Sequence, residues 1–463
     1  MGKPYVSTIA ARLERLPPSR YLRNIILRIS AGAWFELYDL FMTAYISLGL
    51  VKDGIFQAAT ANPFAVDSFA SFVASGFAGM FLGTILFSWV SDRYGRRATF
   101  TYALAWYSLA NLVMAFAQGA AAIDFWRFVA GLGIGVQLIT VDTYISEFTP
   151  KDSRGRAIAL SQFIGYTSVP VAALSSYLLV PLTIAGLSGW RFVALVGSLG
   201  IFFIGFISVG LPESPRWHEA QGRNADAEAA MSSIERAVAS ETGVALPAPT
   251  ADERSTVHGS WLDIWKPPYR KRTITLIVFN ATQTFGFYGF ASWVPILLAK
   301  EGVSIVHSLL YTFFIAIVNP IGPLLGIRFA DRWDRKWQLV VLASAIAVFG
   351  LIFAHVRAPA LIILMGTLIT LSNGLFSVAQ HTYQAELFPT SIRSRATGFV
   401  YSWSRFASIF VSFAIGSVLA RHGTSGVFIL IAATMAIVVI AIGGFGTSTR
   451  GLSLEELTPA PVL

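Results

Sequence analysis

Apolar runs of about 20 residues recur along the chain from Ile25 to Phe445, each long enough at 1.5 Å per helical residue to cross a hydrocarbon core about 30 Å thick. Backbone polar groups cannot be left unpaired in such a core, so each run must be a helix. Twelve spans are predicted, at roughly 25–50, 68–91, 97–118, 123–147, 156–181, 190–211, 272–299, 305–330, 337–355, 359–385, 395–420 and 425–446. Only 13% of the 463 residues are charged, against about a quarter in soluble domains, which excludes an ordinary soluble protein. The expected fold class is an all-α membrane protein.

The spans fall as six, a gap and six. This predicts a basic N-terminal segment over 1–24, a six-helix bundle over 25–211, a central loop over 212–271, a second bundle over 272–446 and a tail over 447–463. The loop carries Pro212, Pro215, Pro247 and Pro249 and is expected to hold one or two short surface helices. Residues 1–24 lack the apolar core and cleavage site of a removable signal, so the first span is expected to direct insertion. An even number of spans places both termini on one face. Of the 34 Lys and Arg, 27 fall on that face, 5 on the other, and Arg127 and Arg405 within or at the edge of spans. Termini and central loop are therefore expected to be cytoplasmic, in a cell or inner membrane.

The net charge of +9 is thus a matter of topology, and no arginine-rich arm or zinc pattern points to nucleic acid. The absence of cysteine excludes disulfides and thiol chemistry. No metal-ligand cluster, phosphate loop or nucleophile–base motif points to an enzyme, and no cofactor is expected beyond a coupling proton. The expected partners are the bilayer, protons and a small-molecule substrate, bound by a monomer.

A shift of 239 residues lays Asp92-Arg93-Tyr94-Gly95-Arg96-Arg97 on Asp331-Arg332-Trp333-Asp334-Arg335-Lys336. The same shift superposes residues 142–157 on 381–396 with seven identities in 16 positions: Thr143, Tyr144, Glu147, Pro150, Arg154, Arg156 and Ala157 fall on Thr382, Tyr383, Glu386, Pro389, Arg393, Arg395 and Ala396. The halves are duplicates. Two parallel six-helix bundles related by an axis along the membrane normal enclose a central cavity with a midplane site.

The segment Ser88-Trp-Val-Ser-Asp92-Arg93-Tyr-Gly95-Arg96-Arg97, between the second and third spans, resembles the G-x-x-x-D-R-x-G-R-R loop of the major facilitator superfamily, with Ser88 in place of the first glycine. Arg127-Phe-Val-Ala-Gly131-Leu-Gly133-Ile-Gly135 is similar to that superfamily's R-x-x-x-G-x-G-x-G. Glu147-Phe-Thr-Pro150-Lys-Asp-Ser-Arg154-Gly155-Arg156 and Pro212-Glu213-Ser214-Pro215-Arg216-Trp217 look like signatures of sugar porters and of organic anion and cation carriers. The resemblance implies the major facilitator fold. It also implies gating charges at Asp92, Arg93, Arg96, Arg97, Arg127, Glu147, Arg154 and Arg156, with repeat counterparts at Asp331, Arg332, Arg335, Glu386, Arg393 and Arg395. A carboxylate held by guanidinium groups can be paired in one access state and released in the other.

Trp34-Phe35-Glu36-Leu37-Tyr38-Asp39 in the first span places two carboxylates three residues apart, on one helix face. It resembles the D-G-[YF]-D element of aromatic-acid:proton symporters, which makes Asp39 the favoured proton carrier, Glu36 the second and Asp142 a further one. A structural ion pair with Arg127 or Arg405 is the alternative. Arg405, well inside the eleventh span, offers a bidentate clamp for a substrate carboxylate; pairing with Asp142 is its alternative. Expected to line the cavity beside it are Tyr38, Gln137, Tyr144, Gln162, Tyr166, Asn280, Gln283, Tyr288, Asn373, Gln380, His381, Tyr383 and Trp403. The seventh span lacks the paired glutamines of sugar porters and the tail lacks their P-E-T-K-like sequence. The expected function is a proton-coupled symporter importing a small organic anion, an aromatic acid among the options. A sugar porter, a facilitator or antiporter, and a membrane solute sensor remain the alternatives.

Overall fold

The computed structural model describes residues 9–60, 62, 64–208, 210–243, 246–249, 261–267, 269–329, 333–388 and 392–449. Helices run over Arg20–Tyr45 and Ser47–Lys52 (first span), Phe69–Tyr94 (second), Arg96–Phe116 (third) and Ala120–Phe148 (fourth). The fifth span is Lys151–Tyr166 with Ser168–Leu179, and the sixth Gly189–Ser198 with Gly200–Ser208. In the second half come Tyr269–Ala291 with Val294–Lys300 (seventh), Ile305–Ala316 with Ile321–Phe329 (eighth), Arg335–Phe353 (ninth) and Pro359–Glu386 (tenth). A helix over Arg393–Phe445 is broken at Gly423 (φ 65°, ψ −167°) and forms the eleventh and twelfth.

Among the described residues, eight segments are long and apolar enough to cross a membrane by length and hydropathy alone, one of them the double-length Ala396–Phe445. The first span falls short through Arg28, Glu36 and Asp39, and the third and seventh through polar residues such as Asn111, Asn280 and Gln283. Two features were not expected from the sequence. A short helix, Ile9–Glu14, precedes the first span, and a two-stranded hairpin pairs Thr183–Ile184 with Leu187–Ser188 in the loop before the sixth.

Duplication is visible in the packing. Gly322 and Gly374 bring the eighth and tenth spans to backbone contact, a Cβ on either lying 2.9–3.0 Å from the other's Cα. A shift of 239 residues places these two on Gly83 and Gly135, where a Cβ would run into the carbonyls of Leu132 and Met80 across the second and fourth spans. Alternate glycines in the fourth span thus allow close helix approach, as small residues do in membranes. Tyr144 donates to the Pro212 carbonyl (2.6 Å) and its counterpart Tyr383 to the Thr447 carbonyl (2.9 Å), each fastening a span to the chain that leaves its half.

On the face that carries the termini, the central segment forms helices over Pro215–Ala220 and Asn224–Thr242. Arg12 of the first short helix reaches Glu235 through Nε (3.0 Å) and Nη2 (2.6 Å), and Arg15 binds the same carboxylate. Burial pushes the Glu235 carboxyl up, but the two guanidinium groups outweigh it and hold it below the usual carboxylate range. A carboxyl depressed in the folded state stabilises this clamp above its ordinary pKa and ceases to do so as pH falls through the depressed value. Hydrogen exchange at Ile9–Glu14 is therefore expected to be protected at pH 7 and to lose protection below about pH 4; protection that persists there would show that packing alone holds the helix.

Candidate functional site

The residues of the superfamily-like loop meet in one cluster. Gly95 (φ 100°) ends the second span, and a Cβ there would strike the Glu213 carboxylate. That carboxylate accepts from the backbone N–H groups of Arg96 (2.8 Å), Arg97 (3.2 Å) and Ser214 (2.9 Å), an anion seated on the N-terminus of the third span. Arg96 pairs with Asp92 (2.7 Å) and Glu147 (3.0 Å), while Trp217 donates to the Asp92 carbonyl (2.6 Å). The repeat reproduces this: Arg335 pairs with Glu386 at 2.9 Å, 239 residues on. Arg154 and Arg216 share Glu14. Arg93 is exposed and stacks on Trp89 and Tyr94, and Arg97 and Arg156 are exposed. Asp331 and Arg332 lie outside the described residues, as do the side chains of Arg393 and Arg395.

Between the halves lies a cavity of about 560 Å³, within the range that holds a small metabolite. Its walls come from the first, second, fourth, fifth, seventh, tenth and eleventh spans, from mid-helix to the terminal face. On the opposite face the halves close on aromatic contacts, Phe69 edge-on to Trp293 (5.1 Å) and Phe64 against Phe413 (5.2 Å). The structure is thus in the state open to the terminal face.

Ten of the residues expected at the site line this cavity: Glu36, Asp142, Gln162, Tyr166, Gln283, Tyr288, Asn373, Gln380, His381 and Arg405. Arg405 donates to the Tyr288 hydroxyl and, at 3.4 Å, to that of Tyr401, and its guanidinium lies over both rings (5.8 and 5.3 Å). Among the described residues it has no carboxylate within ion-pair distance, so the pairing with Asp142 is not made. Glu36 is buried with Oε2 unpaired among the described residues, and its charge acts on those of Asp142, Arg405 and Asp39.

Asp39 takes the alternative offered by the sequence, an ion pair with Arg127, and not the favoured place on the cavity wall. It is fully buried behind the cavity wall, paired with Arg127 Nη1 at 2.8 Å and accepting from Asn111 at 2.6 Å, while Arg127 also donates to Thr43 at 2.6 Å. Residues i and i+3 on a helix are about 60° apart. That turn is enough to send Glu36 to the cavity and Asp39 toward the third and fourth spans. Arg127 is accordingly not beside the charged cluster on the terminal face but within the first half, as this ion pair.

Six further expected residues do not line the cavity. Tyr38 stacks on Trp34 and donates to the Val193 carbonyl (3.1 Å), and Tyr144 and Tyr383 make the fastenings described above. Gln137 is fully buried. Asn280 joins the seventh and tenth spans through Gln380 (3.0 Å) and Gln384 (3.2 Å). Trp403 packs on Phe406. In all but Gln137, whose two amide atoms have no hydrogen-bond partner among the described residues, the polar atom or ring serves helix packing, which residue type alone does not distinguish from a cavity position. Conversely Tyr401, Gln384, Phe287 and Ser161 line the cavity without having been expected there. Tyr401 lies four residues before Arg405, a spacing that shares its face.

The sequence model of the sugar (and other) transporter family matches residues 25–460. YyaJ of Bacillus subtilis, a candidate metabolite transport protein by name, is 33% identical over 448 residues, covering 96% of each chain. The niacin transporter NiaP of Acinetobacter baylyi is 28% identical, covering 97% of this chain and 99% of its own. Among solved structures, the partially occluded inward-open form of the xylose transporter XylE from Escherichia coli superposes with a TM-score of 0.74 at 18% identity, over 94% of this chain and all of that one. The chain belongs to the sugar (and other) transporter family and is a multi-pass secondary transporter of the major facilitator superfamily.

Proposed function

We propose that the protein is a proton-coupled symporter that imports a small carboxylate, aromatic or heteroaromatic in character, with its terminal face cytoplasmic. The observation that carries this reading is Arg405: a guanidinium at mid-cavity, held by phenol oxygens and not by an acid. Such a group favours a bidentate carboxylate. Tyr166, Phe287, Tyr288 and Tyr401 give the cavity flat apolar faces for a ring. The niacin transporter among the relatives is named for a pyridine carboxylic acid, which fits the same chemistry. The cationic excess on the terminal face supports the orientation.

Glu36, not Asp39, is the coupling acid on this reading. A substrate carboxylate that takes up the charge of Arg405 removes the cation Glu36 faces across the cavity, and a proton replaces it. Rotation of the halves then carries both to the other face.

The test is proteoliposomes with a trapped pH dye, challenged with aromatic and aliphatic carboxylates, hexoses and organic cations. Acidification of the lumen driven by a carboxylate is expected, with Glu36→Gln losing uphill uptake while retaining exchange. Uphill uptake surviving in Glu36→Gln removes Glu36 from the coupling step. The amides Gln162, Gln283, Asn373 and Gln380 on the same walls favour a second reading, a polyhydroxylated substrate; saturable uptake of a hexose with no response to any acid would establish it instead.

A further inference from the structure

Asp142 and His381 are repeat mates, 239 residues apart, in the fourth and tenth spans. Both are exposed, both line the cavity, and they stand on opposite halves. Positions around them are identical across the internal repeat: Thr143 matches Thr382, Tyr144 matches Tyr383 and Glu147 matches Glu386. At this cavity-facing position the duplicate instead sets an acid against a base.

Depth places the two at the mouth. Asp142 is six residues from the helix end at Phe148 and His381 five from that at Glu386, whereas Arg405 is twelve residues from the start of its helix at Arg393. At 1.5 Å per residue the pair lies roughly 8–9 Å from the helix ends and Arg405 about 18 Å. In the state described the two make no ion pair, although their charges already interact. The His381 Nδ1 atom lies 2.7 Å from the Ser377 carbonyl, which can only accept, so Nδ1 carries a proton and Nε2 is the atom left for the cavity. Its ring packs on Tyr401 at 5.2 Å.

Alternating access closes the face that is now open. Residues related by the axis along the membrane normal face each other across the mouth, and they converge when the halves rock about a line in the membrane plane and close the terminal face. We propose that Asp142 and His381 meet across the mouth as the latch of the terminal-face gate, formed when the cavity opens to the opposite face and broken in the state seen here. With Nδ1–H directed at Ser377, the latch is a hydrogen bond from Nε2 of the imidazolium to the Asp142 carboxylate. The other charged or titratable groups near the pair are Glu36, whose charge acts on that of Asp142, and Arg405, Tyr401, Tyr288 and Tyr166 on the cavity walls. The inference rests on the alternating access of the family and not on the identity of the substrate.

The absence of native cysteine makes the test direct. In the full-length protein in proteoliposomes, Asp142→Cys with His381→Cys is compared with Ala70→Cys with Gly416→Cys. A Cβ on Gly416 lies 3.1 Å from that of Ala70 in the state described, so the second pair reports closure of the opposite face. Both pairs are expected to cross-link under copper–phenanthroline, each stopping transport until a reductant is added. Cross-linking of the 70/416 pair without the 142/381 pair, with both cysteines of the latter reactive toward a maleimide, would overturn the latch.

A second readout needs no cross-link. The cavity residue Ser402, as Ser402→Cys, is expected to react with a maleimide several-fold faster when combined with Asp142→Asn or His381→Gln. The exchange of Asp142→His with His381→Asp is expected to return the rate toward its starting value. Equal rates in all four backgrounds would show that the pair does not bias the gate.

Discussion

Arg405→Ala is expected to lower kcat/KM for carboxylate uptake by about two to three orders of magnitude while leaving the thermal midpoint in detergent nearly unchanged. Charge-assisted hydrogen bonds contribute about 1.5–3 kcal/mol each, and a bidentate clamp makes two, so a loss of about 3–4 kcal/mol corresponds to that factor. Stability should hold because Arg405 is tied by two phenol hydroxyls and, among the described residues, by no carboxylate, so its removal breaks no ion pair, and Glu36 across the cavity can take a proton in its place. Arg405→Lys keeps the charge but loses the planar fork and should fall between the two. Tyr288→Phe removes one hydroxyl that orients the guanidinium and should cost about tenfold or less. The check is initial-rate uptake of a radiolabelled aromatic carboxylate beside its neutral amide: discrimination between the two should collapse in Arg405→Ala. Undiminished carboxylate uptake in that variant would make Arg405 a structural cation and move the substrate charge elsewhere.

Much of the architecture was legible because the bilayer permits few solutions. Apolar length marks the spans. A repeat with a single shift then predicts that what is built in one half recurs in the other. The recurrence is literal at Arg96–Glu147 and Arg335–Glu386, and at Tyr144 and Tyr383. Interruptions were less legible. The break of the first span at Ile46 has no proline to mark it, and the helix Ile9–Glu14 exists against Asn224–Thr242 through ion pairs more than 200 residues apart in sequence.

The site was legible in its charged members and blurred in its polar ones. Arg405, Glu36, Asp142 and His381 face the cavity because an ionised group inside a span has few other places to go. Amides and phenols have another: they bond neighbouring helices, as Asn280 does with Gln380 and Tyr38 with Val193. Asp39 shows where the charge argument itself divides, since an internal acid can face a wet cavity or take a partner. The 60° between positions i and i+3 decides which, and sequence spacing does not resolve it.

That division makes Asp39 and Arg127 the pair with the largest expected effect on folding. Both are buried, Asp39 completely, and the ion pair at 2.8 Å is completed by Asn111 and Thr43. Replacing a buried ion pair by apolar groups of similar volume can be nearly neutral, whereas removing one partner leaves an uncompensated charge and costs about 3–5 kcal/mol. Asp39→Leu and Arg127→Met are therefore each expected to lower the thermal midpoint in detergent strongly and to reduce the folded yield, and the double variant to recover much of the loss. The recovery separates a structural pair from a coupling site. If Glu36 alone carries the proton, the double variant should fold and still acidify the lumen with its substrate, at a reduced rate. If it folds but performs only exchange, the Asp39 carboxyl takes part in coupling, and the proton path runs through the first half behind the cavity wall.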